Sequence, residues 1–163
     1  MKSVLIVDDD ADLRDSLSAM LSDEYKVFKA GGKDEAMEKL NQIEKPDIML
    51  LDVKMKSKQE GFEFVEELSK LEQIIPIILV TSTEAMTVSM AVADIARKTR
   101  EKYAVQDLSA LVMKSIDGEV VVDYQSEKKS GECVSIKVAG YHSKPVKIEK
   151  LKSEINDILG REF

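Results

Sequence analysis

The sequence predicts an α/β fold, with helices packed on both faces of a parallel sheet. Segments of strand length alternate along the 163 residues with longer segments whose apolar residues recur at helical spacing. Three of the short segments, residues 4–7, 48–51 and 75–80, are almost continuously apolar, as is typical of strands buried on both faces of a parallel sheet. Because alternating strands and helices form right-handed βαβ units, we expect one doubly wound sheet of five parallel strands.

The first half of the chain contributes two strand–helix units. Residues 3–8 form the first predicted strand, and a helix is predicted over residues 11–23. The apolar side chains of this helix fall on a single stripe, at Leu13, Leu17, Met20 and Leu21. Residues 25–29 alternate between polar and apolar side chains, which predicts a half-exposed edge strand. Gly31-Gly32 ends this strand, and a second helix is predicted over residues 33–44.

The remaining elements repeat this alternation. The third and fourth strands are predicted over residues 47–52 and 75–80, and further helices over residues 61–72, 84–102 and 146–159. A fifth strand is expected to continue from the alternating residues 132–138. With the strand order 2-1-3-4-5, this arrangement is the flavodoxin-like form of the doubly wound sheet.

Composition and charge exclude several functional classes. A net charge of −7 and a pI of about 4.9 argue against binding to nucleic acid or to an anionic membrane surface. Cys133 is the only cysteine, so no internal disulfide can form, which fits a reducing compartment. No apolar stretch approaches the roughly 20 residues of a membrane span, and the N-terminal apolar run is too short for a signal peptide. We therefore expect a cytoplasmic protein with no nucleic-acid or membrane partner.

Oxygen-bearing side chains follow three of the predicted strands. Asp8, Asp9 and Asp10 follow the first strand, Asp52 follows the third, and Thr81 follows the fourth. The carboxyl ends of parallel strands meet at one edge of a sheet, so we expect these side chains to converge. Carboxylates held close together repel each other unless a cation lies between them, and hard oxygen ligands suit Mg²⁺. The sequence therefore predicts an acidic magnesium pocket.

In this order, the same residues resemble the receiver domain of two-component response regulators. The matching positions are Asp8 and Asp9 for the acidic pair, Asp52 for the phospho-acceptor, Thr81 for the hydroxyl residue, Tyr141 for the switch aromatic and Lys144-Pro145 for the Lys-Pro pair. Each motif is weak alone, but the ordered set is highly specific. The resemblance covers roughly residues 1–94 and 139–163.

The resemblance implies a single receiver domain over residues 1–163 with a magnesium-dependent phosphorylation site. Asp52 would accept a phosphoryl group from a sensor histidine kinase or from a phosphotransfer protein. Mg²⁺ would be bound by Asp9 directly, by Asp8 through a water molecule, by Asp52 and by the backbone carbonyl of Lys54.

For the phosphorylated form, the resemblance implies three further roles. Lys144 would pair with the phosphoryl oxygens as a point charge, and Thr81 would donate a hydrogen bond to one of them. Tyr141 would swing inward as Thr81 moves toward the phosphate. Because no effector domain is visible, we expect a stand-alone signalling module, not an enzyme, whose output is a contact with an unidentified downstream protein.

The segment between the fourth predicted helix and the fifth strand is longer than the resemblance predicts. Thr81 and Lys144 lie 63 positions apart, and the excess maps roughly to an insertion at residues 95–138. We predict a polar turn over residues 125–131, a hairpin turn at Asp117-Gly118, and three antiparallel strands at residues 109–116, 119–124 and 132–138. Such an element leaves a strand edge exposed, so we expect it to bind a partner protein or a second copy of the chain as a homodimer.

One alternative is a degenerate receiver that carries no phosphate and acts as a scaffold. The loop after Asp52 departs from the family pattern, because Met55-Lys56 stands where a Met-Pro pair is usual. Glu60-Gly61 likewise stands where Asp-Gly is usual. These departures put the lifetime of a phosphate on Asp52 in doubt more than the site itself.

A second alternative is an enzyme, a phosphatase of the haloacid-dehalogenase superfamily. Its nucleophile motif is similar to the segment from Asp8 to Leu13, with Asp8 as the nucleophile and Asp10 as the acid/base. This hypothesis lacks an acidic pair after Lys144 and leaves Asp52 without a role. Asp10 is also a good residue to cap the first helix, and we favour that interpretation of it.

Overall fold

The structure, a computed structural model, describes most of the chain. The described residues are 1–42, 45–52, 55, 60–68, 75–82, 107–116, 119–127 and 133–160. Three of the predictions lie outside them, namely the helix over residues 84–102, the Asp117-Gly118 turn and the backbone carbonyl of Lys54.

Strands and helices alternate through the described part of the chain. Their bounds are β1 Ser3–Val7, α1 Ala11–Leu21, β2 Lys26–Ala30, α2 Lys33–Gln42, β3 Ile48–Leu51, α3 Glu60–Leu68, β4 Ile77–Thr81, β5 Asp107–Ile116, β6 Glu119–Glu127, β7 Cys133–Ser143 and α4 Ile148–Leu159. The strands β2, β1, β3, β4 and β7 lie side by side in this order, and all four of these pairings are parallel. With β7 as the fifth strand, the predicted order 2-1-3-4-5 and the flavodoxin-like fold are confirmed. None of the described helices is long and apolar enough to cross a membrane.

The sheet continues past β7 with β6 and then β5, both in antiparallel pairing. The first half of β7, from Cys133 to Val138, pairs with β6, and the second half, from Val138 to Ser143, pairs with β4. The chain therefore changes its strand partner at Val138. The interpretation of residues 95–138 as an insertion with a role of its own stays a prediction.

The main hydrophobic cluster packs α1 and α4 against one face of the sheet. It contains alternate strand positions, the buried faces of the two helices and Tyr25, which lies just before β2, namely Val4, Ile6, Leu17, Leu21, Tyr25, Ile48, Leu50, Ile78, Val80, Ala139, Leu151, Ile155 and Ile158. The intervening strand positions, such as Leu5 and Met49, are also fully buried and face the opposite side, and Phe64 of α3 is fully buried too. Burying a side chain of this size stabilises the fold by about 1.5–3 kcal/mol. The strand ends that carry the acidic residues therefore rest on a close-packed base.

Two local predictions are wrong. The helical stripe places Met20 in the core, but Met20 is 44 % exposed. Leu17 and Leu21, four positions apart, define the buried line of α1, and Met20 lies to one side of it. Residues 125–127 of the predicted polar turn belong instead to β6, which stays paired with β7 as far as Glu127, opposite Cys133, and the rest of that prediction lies outside the described residues.

Candidate functional site

The carboxyl ends of β1, β3 and β4 bring three buried polar residues to one edge of the sheet. Asp8 follows β1 and is 3 % exposed, Asp52 follows β3 and is 4 % exposed, and Thr81 ends β4 and is fully buried. The backbone amide of Asp52 donates to the carbonyl of Val7 over 3.0 Å, so the ladder between the first and third strands continues to the acidic residue. The convergence expected from the strand ends is thus present in the structure.

Lys144 reaches into this edge from the segment after β7. Its ammonium donates to Oδ2 of Asp8 over 2.9 Å and to Oδ2 of Asp52 over 2.8 Å. Its backbone amide donates to the carbonyl of Thr81 over 3.1 Å, which fixes the segment beside the end of β4. The peptide bond between Lys144 and Pro145 is cis. One ammonium group therefore lies between two buried carboxylates that come from different strands.

Burial and charge act against each other on these groups. Burial raises the pKa of Asp8, and the hydrogen bonds from the Asp10 amide and from Lys144 offset this only in part. For Lys144, burial is the largest single effect and lowers the pKa. The hydrogen bonds to Asp52 and Asp8, together with the negative charges of these two carboxylates, outweigh burial, so the pKa of Lys144 is raised. Lys144 is therefore protonated at neutral pH.

Three carboxylates at this edge are arranged so that they fit a divalent cation. Asp8, Asp9 and Asp52 each offer one carboxylate oxygen, and these oxygens lie within 4.8 Å of one another. Asp9 is exposed, while the other two are buried, so the cluster opens to solvent on one side. Mg²⁺ binds hard oxygen ligands at about 2.0–2.1 Å and usually keeps several waters, which an open cluster of three carboxylates permits. The donor set therefore fits Mg²⁺, which the resemblance implies.

The two residues assigned to switching are placed by the strand register. Thr81 pairs with Ser143 across β4 and β7, and Tyr141 pairs with Leu79 in the same ladder. Tyr141 is thus on the strand next to Thr81, two positions before its partner. The side chain of Tyr141 lies outside what the structure describes, so its inward movement stays a prediction.

Asp10 caps α1, as we predicted. Its carboxylate Oδ1 accepts hydrogen bonds from the amides of Asp12 over 3.0 Å and Leu13 over 3.2 Å. These are two of the amides at the start of a helix that have no partner within the helix. The carboxylate of Asp10 therefore serves as the hydrogen-bond acceptor for the first amides of α1. The acid/base role that the phosphatase hypothesis requires of Asp10 has no structural support.

Two contacts near the site were missed by the sequence analysis. Arg14 Nη1 donates to the backbone carbonyl of Asp8 over 2.6 Å, and Glu60 Oε1 accepts from the amide of Lys33 at the start of α2 over 3.1 Å. The signal for Arg14 is its position one turn after the cap Asp10, because helical side chains lean toward the N-terminus of their helix. No local pattern indicates that Glu60 reaches a different helix.

Comparisons with known proteins agree with this geometry. The sequence matches the family model of the response regulator receiver domain over residues 4–119. It is 38 % identical over 85 residues to a protein-glutamate methylesterase/protein-glutamine glutaminase 1 of Dechloromonas aromatica (strain RCB), a match covering 50 % of this chain and 24 % of that protein. It is 36 % identical over 83 residues to the transcriptional regulatory protein PdtaR of Mycobacterium tuberculosis (strain CDC 1551 / Oshkosh), covering 50 % of this chain and 39 % of that protein.

These relatives are longer than the region they share with this chain, which corresponds to less than two fifths of their own length. Among solved structures, the fold is similar to that of a response regulator receiver domain protein (CheY-like) from Methanospirillum hungatei JF-1. The TM-score is 0.64 at 23 % sequence identity, and the match covers 98 % of this chain and 94 % of that one. At this identity the structural likeness supports the fold alone.

Proposed function

The chain belongs to the response regulator receiver family, and on that premise we propose that it accepts a phosphoryl group on Asp52 in a Mg²⁺-dependent reaction. The donor is a sensor histidine kinase or a phosphotransfer protein. The phosphorylated form then signals by contact with a downstream protein. A cytoplasmic location is part of the proposal and is supported by the single cysteine, Cys133.

One observation carries the proposal, namely the contact of Lys144 with both Asp52 and Asp8. A lysine that reaches two buried carboxylates from a distant segment is costly to place, because the ammonium and both carboxylates lose water. The arrangement has a chemical use if Asp52 gains a phosphoryl group, because an ammonium held 2.8 Å from its Oδ2 can then pair with phosphoryl oxygens. If these three residues only stabilised the fold, well-packed apolar side chains in their place would do so equally well.

The reaction is a transfer between two nucleophiles. A carboxylate oxygen of Asp52 forms a bond to phosphorus, and the bond between phosphorus and the donor imidazole nitrogen breaks with its electron pair going to the imidazole. The product is an acyl phosphate on Asp52. Bound Mg²⁺ would supply positive charge to the phosphoryl oxygens, and Asp9, Asp8 and Asp52 would hold it.

The residues of the chain contribute position and charge rather than covalent chemistry. Lys144 supplies a fixed ammonium on one side of Asp52. Thr81, fully buried at the end of β4, supplies a hydroxyl at the same edge of the sheet. We propose that this hydroxyl donates to a phosphoryl oxygen and that Tyr141, on the neighbouring strand, moves with it.

The proposal is tested by the intact mass of the protein after incubation with acetyl phosphate and Mg²⁺. We expect the wild type to gain the mass of one phosphoryl group and the Asp52→Ala variant to gain none. Asp47→Asn is the matched control, because Asp47 lies just before the other end of β3 and contacts Ser3 rather than the site. It should gain the same mass as the wild type.

Each other outcome points to a different function. An equal gain of mass by Asp52→Ala refutes Asp52 as the acceptor, and mapping of the adduct to Asp8 would favour the phosphatase hypothesis. Absence of any adduct on the wild type, with Mg²⁺ present and with both acetyl phosphate and a phosphorylated kinase as donors, would favour the degenerate scaffold.

A further inference from the structure

Arg14 contacts the backbone of the acidic pair rather than its carboxylates. Its Nη1 donates to the carbonyl oxygen of Asp8 over 2.6 Å, from a helix that begins only three residues after Asp8. That carbonyl belongs to the peptide group that joins Asp8 to Asp9. A contact at this atom fixes the plane of the peptide from which the second carboxylate extends.

With this contact, all four polar atoms of Asp8 are held. Its amide donates to the carbonyl of Ala30 over 3.1 Å. Its Oδ1 accepts from the amide of Asp10 over 2.9 Å, and its Oδ2 accepts from Lys144 over 2.9 Å. Arg14 holds the remaining atom, the carbonyl oxygen. Asp8 is thus fixed in position and orientation, and the chain leaves it toward Asp9 in a set direction.

The turn after β2 leaves room for the guanidinium of Arg14. A Cβ atom at Gly31 would lie 3.2 Å from Nη1 of Arg14 and 3.1 Å from Oε2 of Glu35. Such contacts are tighter than ordinary van der Waals contact, so a side chain at residue 31 would press on the guanidinium. Because residue 31 is glycine, nothing displaces the guanidinium of Arg14 from its position at the Asp8 carbonyl.

We propose that Arg14 is a positioning residue of the metal site, whose guanidinium fixes the Asp8–Asp9 peptide and thereby sets the spacing of the two carboxylates. This inference rests on the proposed function, because the carboxylates matter in this way only if they bind Mg²⁺. Arg14 acts through Asp8 and Asp9 and does not touch the metal or the phosphoryl group. Outer contacts of this kind typically change metal affinity 10–100-fold when removed.

The direction in which the Mg²⁺ affinity changes when Arg14 is replaced distinguishes a positioning role from a purely electrostatic one. Arg14 carries a positive charge close to a cation site, so removing that charge should by itself strengthen the binding of Mg²⁺. Loss of the hydrogen bond to Asp8 should weaken it, because Asp9 is then no longer held at the spacing that the metal requires. A weaker site in a variant without the charge can therefore come only from lost positioning.

In the test, the wild type, Arg14→Met and Arg14→Lys are each titrated with Mg²⁺ at constant ionic strength. The shifts of the amide NMR signals give the Kd for Mg²⁺ of each protein. We expect the Kd of Arg14→Met to rise about tenfold and that of Arg14→Lys to lie between the other two, because lysine keeps the charge and one donor. Lys29→Met is the matched control. Lys29 lies on β2 and pairs over 3.0 Å with Asp15 of α1, the helix that also carries Arg14, rather than with Asp8, so the Kd should not rise. If Arg14→Met does not fold, Arg14→Gln serves in its place, because glutamine is uncharged, favours helix and is too short to reach.

A second readout is the rate of phosphorylation by acetyl phosphate as a function of Mg²⁺. Positioning predicts that the Mg²⁺ concentration at half-maximal rate rises with the Kd, while the rate at saturating Mg²⁺ stays close to that of the wild type. An unchanged or lower Kd in the neutral Arg14 variant overturns the inference. Failure of the wild type itself to bind Mg²⁺ would instead refute the proposed function.

Discussion

Replacing Lys144 by Met removes the ammonium between Asp8 and Asp52 while keeping a side chain of similar length. The side chains of both aspartates are almost fully buried, and each carboxylate lies within 2.9 Å of the Lys144 ammonium. Without it, two buried negative charges face each other with no cation between them. The metal-free protein should therefore be less stable than the wild type.

The size of the effect follows from the burial of the three groups. Removing one partner of a fully buried ion pair typically costs about 3–5 kcal/mol. The Lys144 side chain is 24 % exposed, so water screens part of the interaction, and we expect a loss of about 2 kcal/mol. For a domain of this size, that corresponds to a Tm lower by about 4–8 °C. Because the pKa of Lys144 is raised above 10.5, this stabilisation is fully present at neutral pH and is lost only as the pH rises through the raised value.

The assay is thermal unfolding in the presence of a chelator and then with increasing Mg²⁺. A divalent cation can replace the missing ammonium, so Mg²⁺ should raise the Tm of Lys144→Met more than that of the wild type. The gap between the two proteins should therefore narrow as Mg²⁺ increases. Lys152→Met is the control. Lys152 is 29 % exposed and contacts Glu24 over 3.4 Å at the surface, and its loss should cost less than about 1 kcal/mol at any Mg²⁺ concentration.

Two results would refute this reasoning. An unchanged Tm of Lys144→Met in chelator would mean that the ammonium contributes nothing net to stability. A gap that stays constant over the Mg²⁺ titration would mean that the metal and the ammonium do not share the same carboxylates.

Three further predictions concern two of the carboxylates and the predicted insertion. Asp8→Asn should raise the Tm of the metal-free protein at neutral pH, because the raised pKa of Asp8 means that ionisation of Asp8 destabilises the fold. The gain in Tm should shrink as the pH falls toward 3.8, and thermal unfolding at several pH values across this range measures it. Asp9→Ala should abolish the rise in Tm caused by Mg²⁺ while changing the metal-free Tm little, because Asp9 is exposed. Replacing residues 96–137 by a short Gly-Ser bridge should preserve phosphorylation of Asp52, because pairing of β7 with β4 begins at Val138, but should abolish dimerisation or partner capture, measured by light scattering and pull-down.

Each of these has an outcome that contradicts it. A lower metal-free Tm for Asp8→Asn would mean that its contact with Lys144 outweighs its burial. An Mg²⁺ response in Asp9→Ala equal to that of the wild type would exclude Asp9 as a ligand. If the bridged protein matches the full chain in phosphorylation, oligomeric state and partner recovery, the segment has no role in association.

The sequence alone was sufficient for the parallel sheet and for the residues at its carboxyl edge. Continuous apolar runs identify β1, β3 and β4, and each run leads directly into its polar residue, Asp8, Asp52 or Thr81. These are local patterns, set by the period of a strand and the place where it ends. Because parallel strands end at a common edge, the local pattern also implied which side chains meet.

The tertiary structure decided what surrounds these residues. Arg14 lies only six residues after Asp8, and its position one turn after the cap Asp10 was its single sequence signal. That its guanidinium contacts the Asp8 carbonyl was decided by how α1 packs beside the end of β1. Gly31-Gly32 reads as the end of a strand, yet its lack of side chains gives room to Arg14 at one glycine and to Glu60 at the other. The physical reason is that periodicity and capping depend on neighbours in the chain. Which side chain occupies the space over a turn depends on elements far apart in sequence, and only their packing brings those together.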